Sequence, residues 1–254
     1  MPISTRRSNP DYSVTPKGAA GCVVVLHEVW GLVSHTKDVC KRVSKLGFAA
    51  TAPNLYRGYD DILNPEDIQK TMEGVWELSL EERRDRAKVA ETLSKKGADP
   101  KLMEVAAVLY SQSFRDELLD RAVAEVGRAH KKFGRVATLG FCIGGGLAMK
   151  AATRSGRMRS TVSFYGEPPA TPYVPKIRTP VLALHAMQDE IINQRVPAFV
   201  GAMLDEGKDL TLKTYPGTRH GFFNDTRRTV YNRSAALEAW DITRWFLDRT
   251  LGRQ

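Results

Sequence analysis

The sequence predicts an α/β fold in one domain over residues 1–254, a mostly parallel sheet with helices on both faces and a helical insert near 62–112. Three observations carry this. Short β-branched runs alternate with longer helical patterns along the chain. The first strong run, Cys22 to His27, is apolar up to its last residue, as a strand covered on both faces requires. A glycine-rich junction at Gly140 to Gly146 marks a sharp strand-to-helix turn.

The elements follow in order. After Cys22 to His27, the stretch Ser34 to Leu46 puts Val39, Val43 and Leu46 on one helical face, with Gly47 at the C-cap. Phe48 to Ala52 reads as a strand stopped by Pro53, and Asn54 to Asp61 as loop. Pro65 to Trp76, Glu81 to Lys96 and Pro100 to Gln112 form the insert, with Glu82, Arg86, Lys88 and Glu91 on a solvated face. An amphipathic helix, Arg115 to Phe133, leads into a strand, Arg135 to Phe141, and a helix, Ile143 to Arg154. Ser160 to Phe164, Val181 to His185 and Leu210 to Tyr215 complete the strands; Gln194 to Glu206 and Val230 to Leu251 are the last helices.

Composition excludes several classes. With 42% hydrophobic and 26% charged positions in 254 residues, the chain is globular rather than disordered or fibrous. It has no run of about eighteen apolar residues, so no membrane-spanning helix is expected. Met1 to Pro16 lacks the apolar stretch and cleavage site of a secretory signal, and the expected location is cytoplasmic. Cys22, Cys40 and Cys142 are odd in number and include no CxxC, which argues against disulfides and structural zinc. The net charge of +9 favours anionic ligands but is silent on fold.

Gly140-Phe141-Cys142-Ile143-Gly144 fits the GxSxG nucleophile elbow with sulfur in place of oxygen. The turn is so sharp that residues two before and two after the nucleophile must be small. A helix starting at Ile143 would aim its N–H groups and positive dipole end at the thiol, which favours an anion there. The competing readings are a small buried cysteine and a dinucleotide loop, but GxGxxG would need glycine at 142, and counted from Gly144 its third glycine falls on Met149. Downstream order favours the elbow. An α/β-hydrolase fold places an acid after a later strand and a histidine after the next, and here Met187-Gln188-Asp189 follows His185 while Arg219-His220-Gly221 follows the strand ending at Tyr215. Asp189, His220 and Cys142 thus meet at the C-terminal strand edge, where parallel sheets bind ligands. His27, His35, His130 and His185 read as structural. His27-Glu28 does not continue as HExxH, since position 31 is Gly31, and no metal is expected.

From about Cys22 to Phe246 the sequence resembles the dienelactone hydrolases, carboxymethylenebutenolidases of the α/β-hydrolase fold with a Cys, His, Asp triad. Four blocks carry the resemblance in order: His27-Glu28-Val29-Trp30-Gly31-Leu32, Ala52-Pro53-Asn54-Leu55-Tyr56, Gly140-Phe141-Cys142-Ile143-Gly144-Gly145 and Arg219-His220-Gly221-Phe222. A fifth, Phe164-Tyr165-Gly166, matches the family's Tyr-Tyr-Gly. The resemblance implies Cys142 as nucleophile, His220 as base and acid, Asp189 as orienting carboxylate, and Glu28 as a fourth catalytic residue that contacts the resting thiol. It also implies an oxyanion hole made by the backbone N–H groups of Val29 and Ile143, with Trp30, Tyr165 and Asn224 against substrate. The chain departs from the family at Asn224, where an arginine binds a substrate carboxylate, and at Gly221, where serine is common; a second arginine is expected from the insert.

The expected function is therefore cysteine-dependent hydrolysis of a small lactone or ester without a cofactor, with no nucleic-acid or membrane partner. A non-catalytic binder on a hydrolase scaffold is the first rival, but all three triad members are present. A hydrolase or acyltransferase acting on a different ester is the second, because fold and triad do not choose substrate. A polyanion binder is the third, but its basic residues, among them Lys131, Lys132, Arg227 and Arg228, are dispersed and accompany no nucleic-acid motif.

Overall fold

The computed structural model describes residues 10–79 and 81–252; of Met1 to Pro16, where no leader is expected, residues 1–9 lie outside the described part. The strands are β1 Tyr12–Val14, β2 Cys22–Leu26, β3 Ala49–Ala52, β4 Val136–Phe141, β5 Ser160–Phe164, β6 Val181–Ala186 and β7 Leu210–Tyr215. They form one sheet in the order β1-β3-β2-β4-β5-β6-β7. Among the described residues only the β1/β3 pair is antiparallel.

β2, β4, β5 and β6 are buried at every residue, as strands covered on both faces are, and the burial extends to Ser160, Thr161 and Ser163 of β5. Because side chains alternate across a strand, β2 feeds two cores at once. Val24 and Leu26 pack with Leu118, Val126 and Ala148 on one face, while Val23 and Val25 pack with Val39, Phe141 and Phe246 on the other.

The helices are α1 Ser34–Lys45, α2 Pro65–Gly74, α3 Arg86–Lys95, α4 Pro100–Leu109, α5 Gln112–Phe133, α6 Ile143–Ala152, α7 Glu190–Asn193, α8 Val196–Asp205 and α9 Arg233–Leu251. Side-chain caps set the boundaries that periodicity misplaces. α5 starts three residues before Arg115 because the Ser111 hydroxyl accepts from the Phe114 N–H at 3.2 Å. α9 starts at Arg233 rather than Val230 because Asn232 accepts from the Ala235 N–H at 3.1 Å.

The insert, α2 to α4, closes around its own core of Val75, Leu78, Val89, Leu93, Leu102 and Ala106. Arg86, Lys88 and Glu91 face solvent, whereas Arg83, from the same charged run, is only 5% exposed. No described helix is long and apolar enough to cross a membrane. Glu28, Cys142, Asp189 and His220 all follow the C-terminal ends of strands, on one edge of the parallel sheet.

Candidate active site

The junction of β4 and α6 holds Cys142 at φ 54° and ψ −120°, a conformation that side chains rarely adopt. Its N–H donates to the Phe164 carbonyl at 3.0 Å and its own carbonyl accepts from Gly146 at 3.1 Å, so both neighbours hold the strained residue in place. The small flanking residues are a steric necessity. A Cβ on Gly140 would overlap the Gly144 backbone, and one on Gly144 would overlap the carbonyls of Leu26 and His27 at the end of β2.

His220, in the turn after β7, points Nδ1 at Asp189 Oδ2, 2.5 Å away. Asp189, 6% exposed, also accepts from the Ile192 N–H at 3.3 Å, which fixes the carboxylate. The two loops are tied by the Gln188 N–H to the Thr218 carbonyl at 2.9 Å. With Nδ1–H donating to Asp189, Nε2 is left on the side of Cys142, whose thiol lies close enough to act on the ring electrostatically. Burial opposes a charged imidazole, but the nearby Cys142 and the hydrogen bond to Asp189 outweigh it. They hold His220 well above its ordinary 6.5. Burial is the largest cause at the other two thiols, pushing Cys22 and Cys40 up to about 12 and leaving them inert.

Val29 and Ile143 both line the cavity beside Cys142, and neither backbone N–H has a hydrogen-bond partner among the described residues. Ile143 is the first residue of α6, so its N–H is one of the donors a helix start leaves over. The Val29 N–H belongs to the same peptide plane as the Glu28 carbonyl. That carbonyl accepts from His27 Nδ1 at 2.7 Å, while His27 Nε2 accepts from the Leu55 N–H at 3.2 Å. The two bonds fix a neutral imidazole, and burial lowers the His27 pKa to about 4. Tyr56 adds a bond from its hydroxyl to the Val29 carbonyl at 3.0 Å. His27, which the sequence reads as structural, thus clamps the peptide that carries the Val29 N–H.

Glu28 is 3% exposed, and both its oxygens are taken: Oε1 by the Tyr165 hydroxyl at 3.0 Å and Oε2 by Asn224 Nδ2 at 2.5 Å. No hydrogen bond joins it to Cys142. Tyr165, at φ 39° and fully buried, sets its ring 4.9 Å from that of His220, inclined at 59°, so it links Glu28 to the histidine. Tyr165 and Asn224, expected against substrate, are therefore spent on Glu28, because burial of a carboxylate demands donors. Trp30 lines a second, shallower cavity with Asn224 and lies under the Arg227 guanidinium at 4.3 Å. Arg227 thus has an aromatic partner away from the thiol.

Cys142, Ile143, Val29, Asp189 and His220 share the wall of one cavity of about 1290 Å³. The insert supplies the other side through Met72, Trp76, Leu78, Arg83, Leu109 and Tyr110. Arg83, Tyr110 and Arg115, the last from the start of α5, were not singled out by the sequence. Nothing local separates Arg83 from the charged neighbours Glu81 to Arg86; packing against Trp76 does.

Comparison with known proteins agrees with this arrangement. The profile of the Dienelactone hydrolase family matches residues 10–251. The protein named "Putative carboxymethylenebutenolidase" of Saccharolobus solfataricus is 35% identical over 240 residues, covering 94% of this chain and 93% of its own. Among solved structures, a dienelactone hydrolase-like promiscuous phosphotriesterase from metagenomic libraries superposes with a TM-score of 0.67 at 18% identity, covering 93% of this chain and 89% of that one. The dienelactone hydrolase of Anabaena variabilis superposes with a TM-score of 0.56 at 18% identity, covering 95% and 91%. At that identity the superpositions speak for the fold.

Proposed function

The chain belongs to the dienelactone hydrolase family, and on that premise we propose that it hydrolyses small lactones or carboxylic esters through a Cys142, His220, Asp189 triad that needs no cofactor. One observation carries the reading: a strained elbow cysteine shares a cavity wall with a histidine whose Nδ1 is held by a buried aspartate at 2.5 Å.

The thiolate of Cys142 attacks the carbonyl carbon, and the Val29 and Ile143 N–H groups receive the oxyanion. The carbon–oxygen bond to the leaving alkoxide breaks as His220 Nε2 gives that oxygen its proton, leaving an acyl-thioester. Water then donates a proton to His220 as it attacks the thioester, and the sulfur departs as thiolate with the acid product. Asp189 keeps the imidazole in the required tautomer throughout. Glu28 is a positioning residue that acts through Tyr165 on His220.

The test is a hydrolysis screen of lactones and short aryl esters beside Cys142→Ala. Turnover of at least one class, lost in a folded Cys142→Ala protein, supports the reading; equal turnover by that variant overturns it.

A further inference from the structure

β7 ends the sheet on the side away from β1, and no described strand pairs with its outer edge. Edge strands are commonly blunted by brevity or by proline. β1 is three residues long, whereas β7 runs Leu210-Thr211-Leu212-Lys213-Thr214-Tyr215 with neither proline nor glycine. The ladder to β6 fixes which of its main-chain groups are free. The Val181 N–H donates to the Asp209 carbonyl at 2.9 Å and the Met187 N–H to the Tyr215 carbonyl at 3.1 Å. Main-chain groups alternate in direction along a strand, so Thr211 and Lys213, between those two, also turn theirs to β6. The N–H and carbonyl of Leu210, Leu212 and Thr214 point away from the sheet, and none has a hydrogen-bond partner among the described residues.

The side chains along this edge carry opposite charges at its two ends. Lys213 Nζ pairs with Glu238 of α9 at 2.8 Å, and Asp209, just before β7, pairs with Arg249 of α9 at 3.4 Å. Asp209 and Lys213 therefore share the α9 face of the strand, and all four groups keep much of their surface in solvent. Trp245 stands between the two ion pairs on the same stripe of α9, with the Arg249 guanidinium 5.1 Å from its ring, and is 53% exposed. On the other face of β7, Leu210 packs against the core and Leu212 is 37% exposed. An edge with free donors and acceptors, exposed apolar groups and opposite charges at its ends is complementary to itself turned end for end.

We propose that β7 pairs antiparallel with β7 of a second copy of this chain across a twofold axis at Thr211, joining the two sheets into one. Charge selects the register. With Thr211 opposite its own copy, Asp209 stands opposite Lys213 of the second copy, and Lys213 opposite Asp209, in the closely spaced pairs where side chains meet. Leu210 then faces Leu212 of the second copy, and because both turn their main-chain groups outward, the two exchange N–H to carbonyl bonds. An axis at Leu212 would also satisfy the main chain, but it sets Lys213 opposite Thr211 and Asp209 opposite Tyr215, with no charge pair gained. Any extended segment could meet the main-chain groups, whereas the placement of Asp209 and Lys213 fits a strand with the same charges in reverse order. This association does not depend on the hydrolase reading.

The experiment is sedimentation equilibrium of the full chain from about 1 to 100 µM, a range that brackets a micromolar dimer. The native protein shows a reversible monomer–dimer equilibrium that weakens as salt is raised. Asp209→Lys and Lys213→Asp each set like charges opposite one another across the axis and raise the dissociation constant about tenfold or more. Mixed in equal amounts, the two variants associate to within about threefold of the native affinity, because each copy then meets the opposite charge on the other. Leu212→Pro removes an outward N–H that bonds nothing within the chain, so circular dichroism is unchanged while the dimer is lost. Where that variant fails to fold, the mixing experiment decides. A native protein that stays monomeric throughout, including one that captures only an unrelated peptide strand, would overturn the pairing. So would a dimer that none of the three substitutions weakens, or a mixture no tighter than its two components.

Discussion

The Asn224 amide donates to Glu28 Oε2 at 2.5 Å, and the Asn224 carbonyl oxygen accepts from both the N–H and the hydroxyl of Thr226, at 3.0 and 2.6 Å. The Thr226 bonds fix which end of the amide is which, so Nδ2 has no choice but Glu28. A residue that stands in the family pattern where substrate is bound is here a support for a buried carboxylate.

Removing that support has a defined cost. Asn224→Ala leaves Glu28 Oε2 buried without its donor and lowers stability by about 1–3 kcal/mol. A double-mutant cycle with Glu28→Gln, read by urea unfolding, gives a coupling of about 1 kcal/mol or more. Strict additivity would show that the two side chains do not act together. Glu28→Gln also lowers turnover by about tenfold or more, since it changes the group that holds Tyr165 against His220.

His27 holds the peptide that offers the Val29 N–H. His27→Ala frees that peptide and lowers kcat by about ten- to a hundredfold, below the full loss of one oxyanion donor. His27→Gln, which keeps a donor for the Glu28 carbonyl, recovers part of it. Steady-state kinetics on any accepted ester makes the comparison, and an unchanged kcat in a folded His27→Ala protein contradicts the clamp.

Acid weakens the fold through its buried histidines. His27 and His185 have folded pKa values of about 4 against an ordinary 6.5, both because burial penalises the charge. Below about pH 6.5 the unfolded chain binds protons that the folded one refuses, so stability falls as pH drops and the loss accumulates down to about pH 4. The two together contribute a loss on the order of several kcal/mol. His220 runs the other way: its raised pKa gives stability that is complete below about 6.5 and fades as pH climbs through the folded value. Urea unfolding from pH 7 to pH 4 therefore shows a falling midpoint. His185→Leu, which removes a ring with two unpartnered nitrogens, makes that fall visibly shallower. An identical slope in both proteins would contradict the assignment.

Thiol reactivity separates the three cysteines. Iodoacetamide at neutral pH labels Cys142 in the folded protein, while Cys22 and Cys40, fully buried with thiols near 12, react only after unfolding. Mass mapping of the labelled peptides reads the order directly.

What the sequence made legible was what local pattern decides. The continuous burial of β2 follows from its β-branched run, and the elbow follows from Gly140 and Gly144, whose missing side chains are demanded by backbone contacts within the turn. The order of Asp189 and His220 along the chain sufficed to bring them to one strand edge. β1 escaped notice because a three-residue edge strand carries almost no periodicity and is defined by pairing with β3, far along the chain. The roles of Asn224, His27, Arg83 and Arg115 depend on which neighbour each meets across the fold. Arg83 is indistinguishable in sequence from Arg84 or Arg86, yet only Arg83 turns inward.

The nucleophilic role of Cys142 is tested most directly by trapping its acyl-enzyme. The protein is mixed with a 4-nitrophenyl ester that it turns over, quenched in acid within the first turnovers, digested and mapped by mass spectrometry. The acyl mass is expected on the peptide containing Cys142, absent from Cys142→Ala, and more abundant in His220→Ala when the thioester is formed from an activated ester but its hydrolysis is slowed. An acyl group on another residue, or turnover by a folded Cys142→Ala protein, would contradict it.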